Sequence, residues 1–259
     1  MTVTKTKRVL SLSTLFPNAA HPRFGIFVAK SLEALQQETH WDVTLVNPIG
    51  LPPITFGRYR ALARAAQDGR EFGFPVHRPV FRLLPKIGGR LNPRLIVRSV
   101  LPLVRQMHAE NPFDLVDAQF FYPDGPAAAR IARALDLPLS IKARGADIHY
   151  WGSKSYAHAA MTDAGEQAAG LLSVCEALAA DMVALGLPRA KIAIHYTGLD
   201  RDRFRPLNHT RLRSRLATEL GIPIDDRKPL LATVGALIPR KGQRLVIEAL
   251  SDLPDARLL

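Results

Sequence analysis

The sequence predicts an α/β protein in which a mostly parallel sheet is wrapped by helices. Two observations predict it. Short apolar runs alternate with segments of helical periodicity along most of the chain, the order expected of β-α-β units. The length of 259 residues, 47% of them hydrophobic, also lets one large domain or two smaller ones bury a sizeable core.

The apolar stretch Val9–Phe16 is the first run. It contains Ser11, Ser13 and Thr14, ends at Pro17 and lacks a small-residue cleavage site, so it reads as a strand over Arg8–Ser13 and not as a signal peptide. Further strands are expected at Trp41–Asn47, Phe74–Arg78, Leu115–Gln119, Leu139–Ala143, Leu171–Val174, Lys191–His195 and Leu230–Val234. Helices are expected at Gly25–Gln37, Leu91–His108, Gly125–Leu135, Glu176–Leu185, Thr210–Leu220 and Gln243–Leu250. In the second of these, Leu91, Leu95, Val97, Leu101, Val104 and His108 recur at helical spacing, so one face packs while Arg90, Arg94, Arg98 and Arg105 stay wet.

The strand rhythm breaks at Asp200–Asp226, which is charged and holds Pro206 and Pro223. This divides the chain into a domain over residues 1–205 and a linker with a first β-α-β piece over 206–259. The alternation restarts at Leu230, and a last strand is expected at Ala256–Leu259. A sheet this small cannot bury both faces, so the piece reads as the start of a domain whose remainder lies beyond the chain or comes from a partner.

The single cysteine, Cys175, excludes an intramolecular disulfide and a cysteine zinc cluster, and points to a cytoplasmic protein. The windows Leu95–Val104 and Leu171–Leu187 are broken by Arg98, Glu176 and Asp181, well short of the ~20 apolar residues of a membrane span. Formal charge is +12, from 35 Lys+Arg against 23 Asp+Glu. The excess has two readings: 26 of the basic residues are Arg and 9 are Lys, a skew that a GC-rich genome produces without selection for binding. The functional reading rests on clustering: Arg58–Arg105 holds eleven basic residues against Asp68 and Glu71, a field that attracts phosphate or an anionic membrane surface. Nucleic acid has only charge to recommend it, with no zinc spacing, aromatic pair or recognition helix.

In open α/β sheets ligands bind beyond the carboxyl ends of strands, so the loops after each strand carry the chemistry. Gly25 opens a helix after Ser13–Thr14 and reads either as a turn or as a place where free amides meet a phosphate or sugar. The loop Phe120-Phe121-Tyr122-Pro123-Asp124-Gly125 offers aromatic faces for a sugar, or packs the sheet edge with Asp124 capping a helix. Arg144-Gly145-Ala146-Asp147 sets a guanidinium that can fork onto an anion near a carboxylate that can accept from hydroxyls, unless the two pair with each other. Cys175 has no base beside it. Gly235 through Gln243 joins a strand, two cations and a helix start, an arrangement that suits a diphosphate at Arg240 and Lys241. Neither the G-x-G-x-x-G nor the P-loop order is present.

The segment Val234-Gly235-Ala236-Leu237-Ile238-Pro239-Arg240-Lys241-Gly242, with Ile194–Asp200, Phe204 and Pro206 before it, resembles family 4 glycosyltransferases of the GT-B fold. Gly25-Ile26-Phe27-Val28, Phe121–Gly125 and Arg144–Ile148 are similar to the same family in order. The resemblance implies a Rossmann-like parallel sheet flanked by helices, a second such domain facing it, and a retaining transferase needing no metal or other cofactor. It implies a nucleotide-diphospho-sugar donor at Gly25, Gly235, Arg240 and Lys241, with Lys241 and Arg240 helping the diphosphate leave. Tyr122, Asp124, Arg144 and Asp147 would serve the acceptor or sugar, which is a polysaccharide, glycolipid or lipid-linked glycan of cell-envelope or exopolysaccharide synthesis. Ala236 stands where the family often has Arg, and Arg144 where many members have His. The family's E-x7-E segment would fall beyond Leu259, so the isolated chain is expected to turn over poorly. The expected setting is the cytoplasm of a bacterium, at the inner membrane face, with Arg58–Arg105 as the contact. The competing reading is a non-catalytic module binding a glycan or a partner.

Overall fold

The structure, a computed structural model, describes residues 6–38, 40–84, 88–225 and 227–259. Lys86 and the side chain of Arg240, both singled out by the sequence, lie outside the described residues. The chain divides into two compact units, Met1–Gly198 and Leu199–Leu259.

The first unit contains β1 (Lys7–Leu12), α1 (Ile26–Gln37), β2 (Trp41–Val46), β3 (Ile49–Leu51), α2 (Arg58–Ala65), β4 (Gly69–Glu71), β5 (Phe74–His77), β6 (Val80–Arg82) and α3 (Gly88–Glu110). It continues with β7 (Leu115–Ala118), α4 (Asp124–Leu135), β8 (Leu139–Ala143), a π-turn at Asp147–Trp151, α5 (Ser155–Gln167), β9 (Gly170–Ser173), α6 (Glu176–Ala184) and β10 (Ile192–Ile194). Eight strands form one sheet in the order β10-β9-β8-β7-β1-β2-β5-β4. All its pairs are parallel except β4 with β5. β3 and β6 form a separate parallel pair.

Side-chain alternation divides the sheet into two faces. Leu10, Leu12, Val116, Ala118, Ile141 and Leu171 belong to the larger core, which also takes in Val100, Val104 and Ile131 of α3 and α4. Val43, Leu45 and Val76 on the other face meet Val28, Ala29 and Leu32 of α1, with Phe16 and Phe74. On that second face, the β7–β8 half carries Asp117 and Lys142 instead of apolar residues, and both are buried.

Five elements lie outside the expected set: β3, α2, β4, β6 and α5. The expected helix at Gly25–Gln37 begins at Ile26, with Gly25 outside it in the left-handed conformation, φ 68°. Arg90, Arg94, Arg98 and Arg105 are exposed along α3, whereas Arg78 departs from the expected basic field. Its side chain is buried, 2.7 Å from Glu71 Oε1, and donates to the carbonyls of Gln67 and Pro17. Among the described residues no helix is long and apolar enough to cross a membrane.

The second unit holds α7 (His209–Leu220), β11 (Leu230–Leu231), α8 (Gln243–Ala249) and β12 (Arg257–Leu258). β11 and β12 pair in parallel. β11 is shorter than the strand expected at Leu230–Val234, and Val234 and Leu237 lie 97% and 90% exposed.

Candidate functional site

The chain leaves β1 for β2 on one side and returns through α3 to β7 on the other, so the strand order reverses between β1 and β7. Crossover loops diverge at such a point and open a crevice at the carboxyl ends of the two strands. There the loop after β1 meets the loops after β7 and β8.

Asp124 begins α4, yet its carboxylate does not cap that helix. It reaches Thr14, whose backbone N–H and hydroxyl each donate to it at 2.8 Å. Full burial pushes the Asp124 carboxyl up to about 7, with the nearby Asp147 charge acting the same way and the two Thr14 bonds opposing. Asp147 accepts the backbone N–H of Phe121 at 2.8 Å, of Arg144 at 3.0 Å and of Ile148 at 3.1 Å. Burial raises its pKa despite those bonds. Both carboxylates are wholly enclosed, so Asp147 does not present its oxygens at the surface as the hydroxyl acceptor that the sequence suggests. They tie three loops together.

Arg144 does reach the edge. Its Nε donates to the Gln119 carbonyl at 2.9 Å, its Nη2 to Gln119 Oε1, and its guanidinium lies 5.0 Å from the Phe27 ring centroid on α1. Nη1 is buried and has no protein partner. The pairing of Arg144 with Asp147 takes the form of a backbone bond, which leaves the guanidinium for Gln119 and Phe27. Burial lowers its pKa to about 10, against the pull of Asp117 and Asp147, so it stays charged at neutral pH.

Behind Arg144 is a polar chain that the sequence reading passed over. Gln119 Nε2 donates to Asp117 Oδ2, which also takes the Ser11 hydroxyl at 3.1 Å. Lys142 Nζ lies 2.7 Å from His195 Nδ1. Burial pulls Lys142 down to about 8, with Arg144 adding to the fall and Asp117 opposing it. Burial also raises Asp117 and lowers His195. A charge inside a strand that must be buried on both faces was the available signal for Asp117 and Lys142.

Gly25 is fixed by close approach: a Cβ there would lie 2.5 Å from the Leu15 carbonyl oxygen. Tyr122 is turned away from the crevice, its hydroxyl donating to the Gly89 carbonyl at 2.6 Å and its ring centroid 5.0 Å from that of Trp151. Beside Thr14 opens a mainly apolar groove of about 860 Å³ walled by Phe24, Ile49, Phe81 and Leu83, with His21 and Arg23 also lining it. Gly50 lets the Phe81 ring lie across β3, since a Cβ would meet its Cζ at 2.8 Å.

In the second unit the segment from Gly235 to Gln243 turns back on itself. A Cβ on Gly235 would lie 2.7 Å from Gln243 Nε2 and 3.7 Å from the Lys241 Cγ and Cδ. Gly242 turns at φ 70° ahead of α8, and Lys241 is exposed. Among the described residues no group of three or more His, Cys, Asp and Glu side chains is placed to hold a metal.

A doubly wound parallel sheet with a guanidinium fixed at its switch point defines an α/β ligand-binding domain of the GT-B type. The chain belongs to the glycosyl transferase 4-like domain family, which it matches over residues 25–198. It is 26% identical over 256 residues to TuaC of Bacillus subtilis (strain 168), a protein whose name assigns it to teichuronic acid biosynthesis as a glycosyltransferase. That match covers 96% of this chain and 63% of TuaC. Its fold is similar to that of Anabaena HepE in complex with UDP-glucose, with a TM-score of 0.61 at 16% identity, over 97% of this chain and 59% of HepE. It is also similar to a glycosyltransferase from Rickettsia africae, with a TM-score of 0.55 at 15% identity, over 96% of this chain and 57% of that one. The chain therefore spans about three fifths of the length of these proteins.

Proposed function

We propose that the protein acts in the transfer of a sugar from a nucleotide-diphospho-sugar to a glycolipid or lipid-linked acceptor in cell-envelope polysaccharide synthesis, with retention at the anomeric carbon. The observation that carries this reading is Arg144, held by Gln119 and Phe27 at the switch point with Nη1 buried and without a protein partner. A buried donor in that position is satisfied by a ligand oxygen, and a group already fixed is not reorganised on binding. Family membership and the UDP-glucose complex of HepE support a nucleotide-sugar donor.

Arg144 contacts the sugar or acceptor, and Asp124 and Asp147 position it by locking the loops it sits on. Gly25 shapes the start of α1. Lys241 and Arg240, on the turn that Gly235 permits, neutralise the departing diphosphate. The chemistry is electrostatic and needs no metal or other cofactor. The apolar groove beside Thr14 supports an acceptor with a hydrocarbon portion, and Ile54 and Phe56, 75% and 68% exposed beside the exposed arginines of α2, support peripheral contact with an anionic cytoplasmic membrane surface.

UDP release from UDP-glucose, expected to be slow for this chain alone, is measured with and without a bacterial lipid extract to test this reading. The lipid fraction is expected to stimulate release, and Arg144→Ala to lower the stimulated rate at least tenfold, since a lost charge-assisted hydrogen bond is worth roughly 1.5–3 kcal/mol. Release unaffected by lipid or by Arg144→Ala would contradict it.

A further inference from the structure

A second cavity lies apart from the crevice, on the helical side of the first unit. It has a volume of about 160 Å³ and is lined by Arg90 and Arg94 of α3, Arg130 of α4, Tyr156 of α5, and Tyr122. No carboxylate lines it. Among the described residues the arginines in ion pairs are Arg8, Arg78, Arg215, Arg227 and Arg244, so the three around this cavity are not neutralised by protein.

Arg90 and Arg94 are one turn apart and share a face of α3, where like charges repel. Arg130 is braced by its own helix, with Nη1 donating to the Pro126 carbonyl at 3.1 Å. Tyr156 packs edge-on to Tyr122, and its hydroxyl approaches α3 because residue 89 has no side chain: a Cβ on Gly89 would lie 2.7 Å from it. Three guanidinium forks and a hydroxyl around a small hollow match the donors that a tetrahedral oxyanion needs. An empty pocket leaves the mutual repulsion of the cations in place, and an anion removes it.

We propose that this pocket binds a phosphate group. Tyr122 gives the site a consequence, because its backbone belongs to the loop that supplies the Phe121 N–H to Asp147 and Asp124 to Thr14. An occupied pocket braces that loop from behind. The phosphate belongs either to a soluble ester or to a lipid headgroup, for which Arg98 and Arg105 extend the same cationic face of α3. The proposal stands on the pocket alone and does not rest on the sugar-transfer reading.

Melting temperature at constant ionic strength tests it, with inorganic phosphate as the probe and chloride as the control. At phosphate about a hundredfold above Kd, the wild-type Tm is expected to rise by roughly 5–10 °C, with chloride giving no rise. Arg94→Gln and Arg130→Gln should abolish the rise and Arg98→Gln should keep it. An equal phosphate response in wild type and Arg130→Gln, or a wild-type Tm that phosphate raises no more than chloride does, overturns the proposal. Vesicles of phosphatidylglycerol and of phosphatidylcholine assign the source. Selective binding to the anionic vesicles that weakens in Arg130→Gln marks a lipid headgroup, and vesicle binding indifferent to Arg130→Gln, together with the phosphate response, marks a soluble phosphate.

Discussion

At the scale of single residues, the site depends on polar groups taken out of water and satisfied by protein. Asp124 shows it most clearly. Its carboxyl is pushed up to about 7 from the ordinary 3.8, so between those values the folded protein keeps a proton that the unfolded chain releases. The stability it contributes is complete below about pH 4 and is lost as pH rises toward about 7. Asp124→Asn removes that loss. Melting curves at about pH 5 and about pH 7.5 should show a smaller fall in Tm for the variant than for wild type, and equal falls would contradict the assignment. Thr14→Val leaves Asp124 without its hydroxyl donor and is expected to lower stability by about 1–3 kcal/mol in denaturant titration. Arg144, Asp147 and Asp124 were legible in the sequence as polar groups following strands. Their division of labour was not, because whether a carboxylate faces a ligand or ties down a neighbouring loop is decided by residues far along the chain: Thr14 for Asp124, Phe121 for Asp147.

At the scale of elements, the strands of the parallel sheet were legible from apolar runs, and α1, α3, α4 and α6 from helical periodicity. α5 was not, for a packing reason. Of its buried residues only Met161 is large, and Ala157, Ala164 and Gly165 are too small to continue an apolar stripe; a Cβ on Gly165 would lie 2.4 Å from Leu187 Cδ2. β3, β4 and β6 are three residues each, shorter than any periodic signal. α2 spans eight residues, three of them arginine, and buries only Ala65. The start of α1 depends on Gly25, which combines a left-handed φ with contact against the Leu15 carbonyl. Gly25→Ala must therefore move the β1–α1 loop. It should cost at least about 1–2 kcal/mol, a fall of roughly 2–8 °C in Tm, and it should weaken ligand binding at the crevice as well. A variant with wild-type Tm and binding would show that the loop does not need this glycine.

At the scale of the whole molecule, strand order places the candidate site. The reversal between β1 and β7 brings Thr14, Phe121 and Arg144 to one edge although they are spread over half the chain, and the larger core of α3, α4 and α5 holds that edge from one side. The switch point was not legible in the sequence, since the side on which β7 joins the sheet depends on long-range pairing and not on local pattern. The sequence did indicate a second set of residues, Gly235 to Gln243, and the structure folds them as a turn within their own compact unit. The central claim is that Arg144 and Lys241 belong to glycosyl and diphosphate recognition. Calorimetric titration of the wild-type chain, Arg144→Ala and Lys241→Ala with UDP, UDP-glucose and a panel of other nucleotide-diphospho-sugars tests it most directly. Saturable binding of at least one nucleotide-sugar by the wild type is expected. Lys241→Ala should weaken the nucleotide and its sugar conjugate alike, by at least about tenfold. Arg144→Ala should weaken the conjugate more than the bare nucleotide. Binding that neither substitution changes, or no binding of any member of the panel, would contradict the account.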